Sequence, residues 1–509
     1  MSPIPEALLD GGPAARGVLR RGDRRAAALL DDGVLAVVAA LHRRFEPRRT
    51  ALLAQRHDTR RLIQQGRVAE LLRADDDVRD GDWRIAPRPG GARRVVELSG
   101  PATPAMARAV VASDVDLFMA DLEDQLPPGW GRVLAAHAAI LDACRAADGP
   151  TVVVRPRAWH ADEPAVEVDG APVSATLFDV AVHLAHRAHD DGAVPHLYLP
   201  KVETRAEAAL WRELLNEAER LVDLPAGVTD VSLLVETVGA AVAAEGMLYE
   251  LRERVTAVNA GRWDFLFSYA LLFAEDAERC LPEPAALTVE HPLVAAYTRR
   301  IVDVARRRGL RAIGGMTPCW PAGAAPTAAE CEHVRRAKAL EAGMGFDGST
   351  IAHPELAAAA RAGLAGGAAA AERRPPTPPL GFLDARPGGF AVTDGGLTSR
   401  VGLLVSFLER WCAGEAPIVI GGDAQEVATA ELARIQLWTW IRHGVARADG
   451  GVVDRRAVAR AIDAVAVGSA HGRAGQAREL ARRLVLTDEP TEYLTDLLAD
   501  DRRPGGRGR

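Results

Sequence analysis

The sequence predicts an α/β fold whose centre is a (β/α)8 barrel. The chain has 509 residues and is 48% hydrophobic, which provides for a large core and for more than one domain. From about residue 94, short apolar runs alternate with longer Ala-rich stretches of helical pattern. Such alternation is typical of parallel strands that are covered on both faces. Eight units of this kind indicate a closed barrel, and the active site of that fold lies at the C-terminal ends of the strands.

Eight apolar runs are the predicted barrel strands. They span residues 95–98, 116–120, 152–154, 196–199, 232–235, 265–268, 311–313 and 349–352. The sixth run differs from the others because Asp264 precedes it instead of following it. A short strand around Ala257 is therefore an alternative to the sixth run.

Helical patterns flank the barrel on both sides. Residues 1–92 form a predicted N-terminal helical segment, and the barrel takes up residues 93–364. Residues 365–398 begin with Ala/Gly/Pro-rich sequence and are interpreted as a linker. Apolar residues at helical spacing return in residues 399–500, and residues 501–509 have the composition of a disordered tail.

Composition and charge argue against several classes of partner. The formal net charge of −7 indicates neither a nucleic-acid partner nor an anionic membrane partner. No apolar run approaches the roughly 18–20 residues that a membrane span requires. The five cysteines are scattered without a CxxC pair, which suits a reducing cytoplasm. We therefore expect a cytoplasmic protein with no nucleic-acid or membrane partner.

Two carboxylates stand at the edges of buried segments. Glu236 follows the fifth run, and Asp264 stands 28 positions later (264 − 236), about one β/α unit along the chain. On a barrel this spacing puts both side chains on adjacent strands at the same rim. Hard oxygen ligands of this kind suit a divalent metal ion. The alternative is a pair of rim carboxylates that bind arginines such as Arg262.

Further charged residues follow other predicted strands. Glu123 and Asp124 follow the second run, where such groups either bind waters on a metal or face solvent and cap a helix. Arg155 follows the third run, where a guanidinium either neutralises an enolate or a carboxylate substrate or ties down rim acids. Asp423 and Glu426 stand before a C-terminal helix in the pattern of a capping box, with Asp423 at the cap.

Taken together, ordered motifs between about residue 30 and about residue 446 resemble the malate synthase family, in its short, A-type branch. The motifs include Asp121-Leu-Glu-Asp124, Arg155-Pro-Arg-Ala-Trp-His160, Leu199-Pro-Lys-Val-Glu203, Gly261-Arg-Trp-Asp-Phe265, Ala312-Ile-Gly-Gly-Met316 and Thr429-Ala-Glu431. The resemblance implies a TIM barrel with an N-terminal helical clasp and a C-terminal all-α plug domain. It also implies a Mg2+-dependent condensation of acetyl-CoA with glyoxylate that yields malate and CoA in the glyoxylate cycle.

The resemblance also assigns roles to individual residues. It implies that Glu236 and Asp264 bind Mg2+ and that Glu123 and Asp124 hold its waters. Arg155 is the implied catalytic arginine. The implied glyoxylate site is the backbone around Gly261, Arg262, Trp263 and Asp264.

The implied general base departs from the family pattern. Alignment on Thr429-Ala-Glu431 puts Glu426 where the family has an aspartate, and Asp423 is the alternative base. Thr350 stands where the family usually has Trp. These departures leave two alternatives: a divergent condensing enzyme or lyase that acts on another 2-oxo acid or acyl-CoA, and a non-catalytic relative that binds the ligands.

Overall fold

The structure, a computed structural model, describes residues 28–73, 75–88, 96–323, 325–367, 380–466 and 472–495. The chain divides into two compact units: the first takes in Met1–Gly261 and Ile301–Pro375, the second Arg262–Arg300 and Pro376–Arg509. Residues 262–300, within the predicted barrel span, thus belong to the second unit. The predicted tail, residues 501–509, and residues 368–379 of the predicted linker lie outside the described residues.

A closed barrel of parallel strands forms the first unit and confirms the predicted fold class. The strands of this unit are β1 (Val96–Pro101), β2 (Leu117–Asp121), β3 (Thr151–Arg155), β4 (Asp162–Val168), β5 (Ala171–Ser174), β6 (His196–Leu199), β7 (Asp230–Leu234), β8 (Val255–Asn259), β9 (Arg311–Thr317) and β10 (Gly348–Ile351). The barrel order is β1-β10-β9-β8-β7-β6-β3-β2, and β4 and β5 form a separate antiparallel pair. Every residue of β1, β2, β6, β7 and β10 is buried, as expected of strands covered on both faces.

The predicted sixth strand, residues 265–268, is wrong, because these residues lie in a helix that spans Arg262–Leu272. The strand at this place is β8, which includes Ala257 and pairs in parallel with β7 and β9. Residues 265–272 are apolar except for Ser268, and this segment is long enough for two helical turns, whereas Val255-Thr-Ala-Val has the β-branched residues of a strand.

The described part of the chain contains the following sixteen α-helices. They are α1 (Asp32–Gln64), α2 (Val68–Arg73), α3 (Asp76–Asp80), α4 (Pro104–Val111), α5 (Trp130–Cys144), α6 (Ala175–Arg187), α7 (Arg205–Leu221), α8 (Val238–Leu251), α9 (Arg262–Leu272), α10 (Pro292–Arg308), α11 (Ala328–Met344), α12 (Ala357–Gly367), α13 (Asp394–Ala413), α14 (Val427–Arg442), α15 (Arg455–Ala464) and α16 (Ala474–Val485). Short 3-10 turns lie at Ala277–Arg279, Pro284–Ala286, Pro354–Leu356 and Gly381–Leu383. In the described part of the chain, none of the helices is both long and apolar enough to cross a membrane.

The barrel interior contains a packed apolar layer, and this layer determines which residues point inward at the C-terminal rim. Leu117, Met119, Val153, Tyr198 and Leu234 form one buried cluster. Successive side chains of a strand alternate between its two faces. The next inward-facing positions after Met119, Val153 and Leu234 are therefore residues 121, 155 and 236. All three carry a charged side chain at the C-terminal rim.

The second unit is helical, and its first helix packs on α14. The Arg434 guanidinium lies 5.3 Å from the centre of the Phe267 ring, and the His443 ring nitrogen lies 2.8 Å from the Ala274 carbonyl oxygen. The paired residue numbers differ by 167 (434 − 267) and 169 (443 − 274), so α9 and α14 run in parallel. The N-termini of these two helices consequently lie at the same end of the pair.

The start of α14 differs from the predicted capping box. Asp423 lies in β12 (Asp423–Gln425), which pairs with β11 (Ile418–Ile420) as a hairpin. Glu426 is itself the N-cap, and its N–H donates to the Thr429 hydroxyl at 3.2 Å. The prediction placed the cap three residues too early, because the extended hairpin takes up the residues that it assigned to the first turn.

Gly363 on α12 lies in close contact with α11. A Cβ at this position would lie 2.3 Å from the Arg335 carbonyl oxygen and 3.0 Å from the Lys338 Cβ on α11. We expect Gly363→Ala to lower the free energy of unfolding by about 1–3 kcal/mol, the usual cost of overpacking. Urea unfolding measures this change.

The matched control is Gly366→Ala in the same helix, where a Cβ meets nothing within 4 Å. Alanine favours a helix over glycine by about 1 kcal/mol, so this variant should be neutral or slightly more stable than the wild type. Equal free energies of unfolding for the two variants would contradict the assigned helix contact.

Candidate active site

Six charged side chains gather at the C-terminal ends of neighbouring barrel strands. They come from the ends of β2, β3, β6 and β7 or from the loops that follow them: Asp121, Glu123, Asp124, Arg155, Lys201 and Glu236. Each of these side chains is at most 7% exposed. Buried charges require partners, and each of the six finds one within the group.

Arg155 is the hub of the cluster. Its Nη2 donates to the Asp124 Oδ2 at 2.7 Å and to the Glu236 Oε2 at 3.3 Å. Its Nη1 donates to the Asp121 Oδ2 at 3.4 Å, and Glu123 also pairs with the guanidinium. One guanidinium thus contacts four carboxylates, and its planar array of N–H donors is well suited to such contacts.

Lys201 is the second cation of the cluster. Its Nζ donates to the Glu123 Oε1 at 2.5 Å and to the Asp124 Oδ1 at 3.2 Å. Its backbone N–H donates to the Glu236 Oε1 at 2.7 Å. The two oxygens of Glu236 are therefore held by different residues, one by the Lys201 peptide and the other by Arg155.

Features of the local sequence set the positions of the acidic residues. Asp121 accepts the N–H groups of Glu123 and Asp124 at 2.8 and 3.1 Å, a side-chain turn that closes the loop after β2. Thr237 caps α8 directly after Glu236 by accepting the Ala240 N–H at 3.0 Å. Gly261 permits close approach, because a Cβ there would lie 2.6 Å from the Glu236 Cβ.

The charge balance of the cluster leaves an excess of negative charge. Four carboxylates face two cations, a formal sum of −2 (−4 + 2). Burial raises the pKa of Asp121 and of Glu236, although Arg155 opposes this rise. Burial also favours a higher pKa for Asp124, but the charges of Arg155 and Lys201 outweigh burial and lower its pKa to about 2. Burial and the nearby Lys201 lower the pKa of His160 well below its usual value, so this imidazole adds no charge near neutral pH.

This excess charge fits a divalent cation. Among the residues that the structure describes, no three acidic, histidine or cysteine side chains already converge as metal ligands. A closed protein cage is not needed for Mg2+, which usually keeps several waters and binds one or two carboxylates together with substrate oxygens. The donor set and its formal charge therefore suit Mg2+, and Glu236 is the carboxylate of this cluster that the sequence predicted as a metal ligand.

Similarity to known proteins extends over most of the chain. Family models described as malate synthase N-terminal domain, malate synthase TIM barrel domain and malate synthase C-terminal match residues 17–76, 151–365 and 391–501. A malate synthase of Streptomyces clavuligerus is 34% identical to this chain over 92% of this chain and 94% of that protein. Malate synthase A of Escherichia coli (strain K12) is 30% identical and covers 89% of this chain and 91% of its own.

The chain belongs to the malate synthase family. This membership confirms the resemblance that the motifs indicated. The rim cluster gathers four of the residues to which the resemblance gave roles, namely Arg155, Glu123, Asp124 and Glu236, at the strand ends where the barrel prediction placed them.

The remaining predicted site residues of this malate synthase family member belong to the second unit, except Gly261, which ends a segment of the first. Arg262, Trp263 and Asp264 form the first turn of α9, where the Arg262 guanidinium lies 4.4 Å from the centre of the Trp263 ring. Asp264 and Glu426 are buried, at 4% and 7% exposure. Because α9 and α14 run in parallel, Asp264 and Glu426 lie at the same end of that helix pair.

Lys201 and Asp121 were predicted as residues that follow barrel strands but were not included among the predicted site residues. Both residues follow the strand-end rule, since Asp121 ends β2 and Lys201 comes two residues after β6. The sequence signal for Lys201 was its place in Leu199-Pro-Lys-Val-Glu203, a cation directly after a buried strand. Its ion pairs with residues 123 and 124, 78 and 77 positions away, require the barrel to be closed first.

Proposed function

We propose that the protein is a malate synthase-type acyltransferase, which condenses acetyl-CoA with glyoxylate and hydrolyses the product to malate and CoA. The observation that carries this proposal is the buried rim cluster, in which one arginine contacts four carboxylates with an excess charge that suits Mg2+. Membership of the malate synthase family over most of the chain supports the same reaction.

Arg155 is the proposed catalytic cation. Removal of a proton from the acetyl group of acetyl-CoA produces an enolate, and its negative charge needs a fixed cation close by. A guanidinium stays protonated during such a step, and the surrounding carboxylates raise the pKa of Arg155 further despite its burial. Arg155 therefore stabilises the enolate as a fixed positive charge and takes no part in the proton transfer.

Glu236 and Asp264 are the proposed Mg2+ ligands, with Glu123 and Asp124 holding the waters of the metal ion. When bound, Mg2+ supplies the Lewis acid that polarises the carbonyl group of glyoxylate. The backbone around Gly261, Arg262, Trp263 and Asp264 is the proposed contact surface for glyoxylate. The N-terminus of α9 supports this role, because unsatisfied N–H groups of a first helical turn favour an anion.

Glu426 is the proposed general base. Its position at the N-cap of α14, at the same end of the helix pair as Asp264, supports this assignment. Asp423 is the alternative, and it lies in the hairpin strand β12, outside the helix. A glutamate reaches one methylene further than the aspartate of the family, and it abstracts a proton by the same chemistry.

The direct test is release of free thiol from acetyl-CoA by the purified full-length protein. We expect release with glyoxylate and Mg2+, and loss of release when EDTA removes the metal. Pyruvate and other 2-oxo acids serve as matched substrates. Release with one of these acids but none with glyoxylate would overturn the proposed substrate in favour of the divergent condensing enzyme.

Two conservative variants separate the candidate bases. Glu426→Gln keeps the size of the side chain but cannot accept a proton, so we expect kcat to fall by about 10²–10⁴-fold, the usual contribution of a general base. Asp423→Asn should keep kcat within a few-fold of the wild type. The reverse pattern would move the base to Asp423, and full activity in both variants would exclude both assignments.

A further inference from the structure

The long N-terminal helix α1 reaches the rim cluster through one buried arginine. Arg56 is 3% exposed, and its Nη2 donates to the Lys201 carbonyl oxygen at 2.7 Å. The same guanidinium donates to both oxygens of Glu207, at 2.8 Å each, and pairs with Glu203 at 3.2 Å. Arg56 thus binds the loop between β6 and α7 from the side of the N-terminal helix.

The peptide that Arg56 holds is strained. Lys201 has a φ of 47°, in the left-handed region that residues other than glycine rarely adopt. Such a conformation costs of the order of 1–3 kcal/mol and persists only where the surroundings impose it. Here the surroundings act on both sides of the residue, since Arg56 binds its carbonyl oxygen and the Glu236 Oε1 accepts its N–H at 2.7 Å.

We propose that Arg56 is a positioning residue for the Glu236 carboxylate, through the Lys201 backbone. Arg56 fixes the left-handed conformation of Lys201, and this conformation points the Lys201 N–H at the Glu236 Oε1. The second oxygen of Glu236 faces Arg155 at 3.3 Å, so the orientation of the carboxylate is set from both ends. This inference rests on the proposed function in one respect, that Glu236 is a ligand of a divalent cation.

Arg60 of α1 also pairs with Glu203 of this loop, at 2.8 Å, whereas three other arginines of the helix pair elsewhere. Arg43, Arg44 and Arg48 pair with Asp169, Glu217 and Glu213, and these arginine side chains are 39–57% exposed. Exposed pairs of this kind contribute about 0–1 kcal/mol, and the acidic partners of these three arginines lie outside the rim cluster. Arg48 is therefore a matched control on the same helix.

Arg56→Lys is the deciding variant, because it keeps a positive charge beside Glu203 and Glu207 and so avoids leaving buried carboxylates without a cation. A single ammonium group lacks the fork of donors that binds Glu207 and the Lys201 carbonyl together. The control is Arg48→Lys. The measurement is binding of Mn2+, alone and without substrates, to the full-length variants by electron paramagnetic resonance, with the thermal midpoint recorded for each.

We expect Arg56→Lys to weaken Mn2+ binding by about 10–100-fold, the usual effect of losing a group that orients a metal ligand. Arg48→Lys should bind Mn2+ like the wild type. Unchanged Mn2+ affinity in folded Arg56→Lys would overturn the positioning role alone. Absence of Mn2+ binding in the wild type would instead overturn the metal site of the proposed function.

A second background tests the role of the strained peptide directly. Glycine adopts a positive φ without a Cβ penalty, so Lys201→Gly removes the strain that Arg56 is proposed to hold. It also removes the ion pairs of Lys201 with Glu123 and Asp124, so the effect of Arg56→Lys in this background is measured against the Lys201→Gly single variant. Arg56→Lys should then cost less Mn2+ affinity in the Lys201→Gly background than in the wild type. An equal loss in both backgrounds would overturn the proposed route through the Lys201 backbone.

Discussion

The contact of the Arg155 guanidinium with four carboxylates is the interaction on which the rest of the site depends. Without Arg155, the buried acids at the ends of β2 and β7 would repel one another, and removing one partner of a buried ion pair typically costs about 3–5 kcal/mol. Even with Lys201, the balance remains at a formal −2. This excess negative charge destabilises the folded state. The same charge makes the rim suitable for a divalent cation.

The fold supplies the conditions for this cluster from two directions. Below the cluster, the apolar layer around Met119, Val153 and Leu234 fixes the strands whose next inward positions carry the charges. From the side, α1 binds the loop after β6 through Arg56, and the strained Lys201 peptide transmits this contact to Glu236. The N-terminal helix, which the sequence predicts only as part of a helical segment, is thereby connected to the proposed metal ligand by two hydrogen bonds.

Sequence reasoning succeeded where a local rule decides the outcome. Buried strands read as apolar runs, and the residue after such a run lies at the catalytic rim, which is why Arg155, Glu123, Asp124 and Glu236 were predicted. The prediction failed where neighbouring strands decide: the run at 265–268 suits a strand or a helix, and the pairing with β7 and β9 assigns the strand to β8 instead. The sequence has no local pattern that predicts the positive φ of Lys201. It also does not single out Arg56 among the arginines of α1, because the contact of Arg56 with Lys201 joins residues more than 100 positions apart.

We infer that the buried rim cluster binds a divalent cation through Glu236. Titration calorimetry of Mg2+ into the wild type and into Glu236→Gln tests this most directly, because the substitution keeps the shape of the side chain and removes one negative charge. We expect binding of one Mg2+ per chain to the wild type, with a thermal midpoint that rises with Mg2+ concentration, and a loss of both effects in Glu236→Gln. Equal Mg2+ affinity in the two proteins, or no binding to the wild type, would exclude Glu236 as the metal ligand.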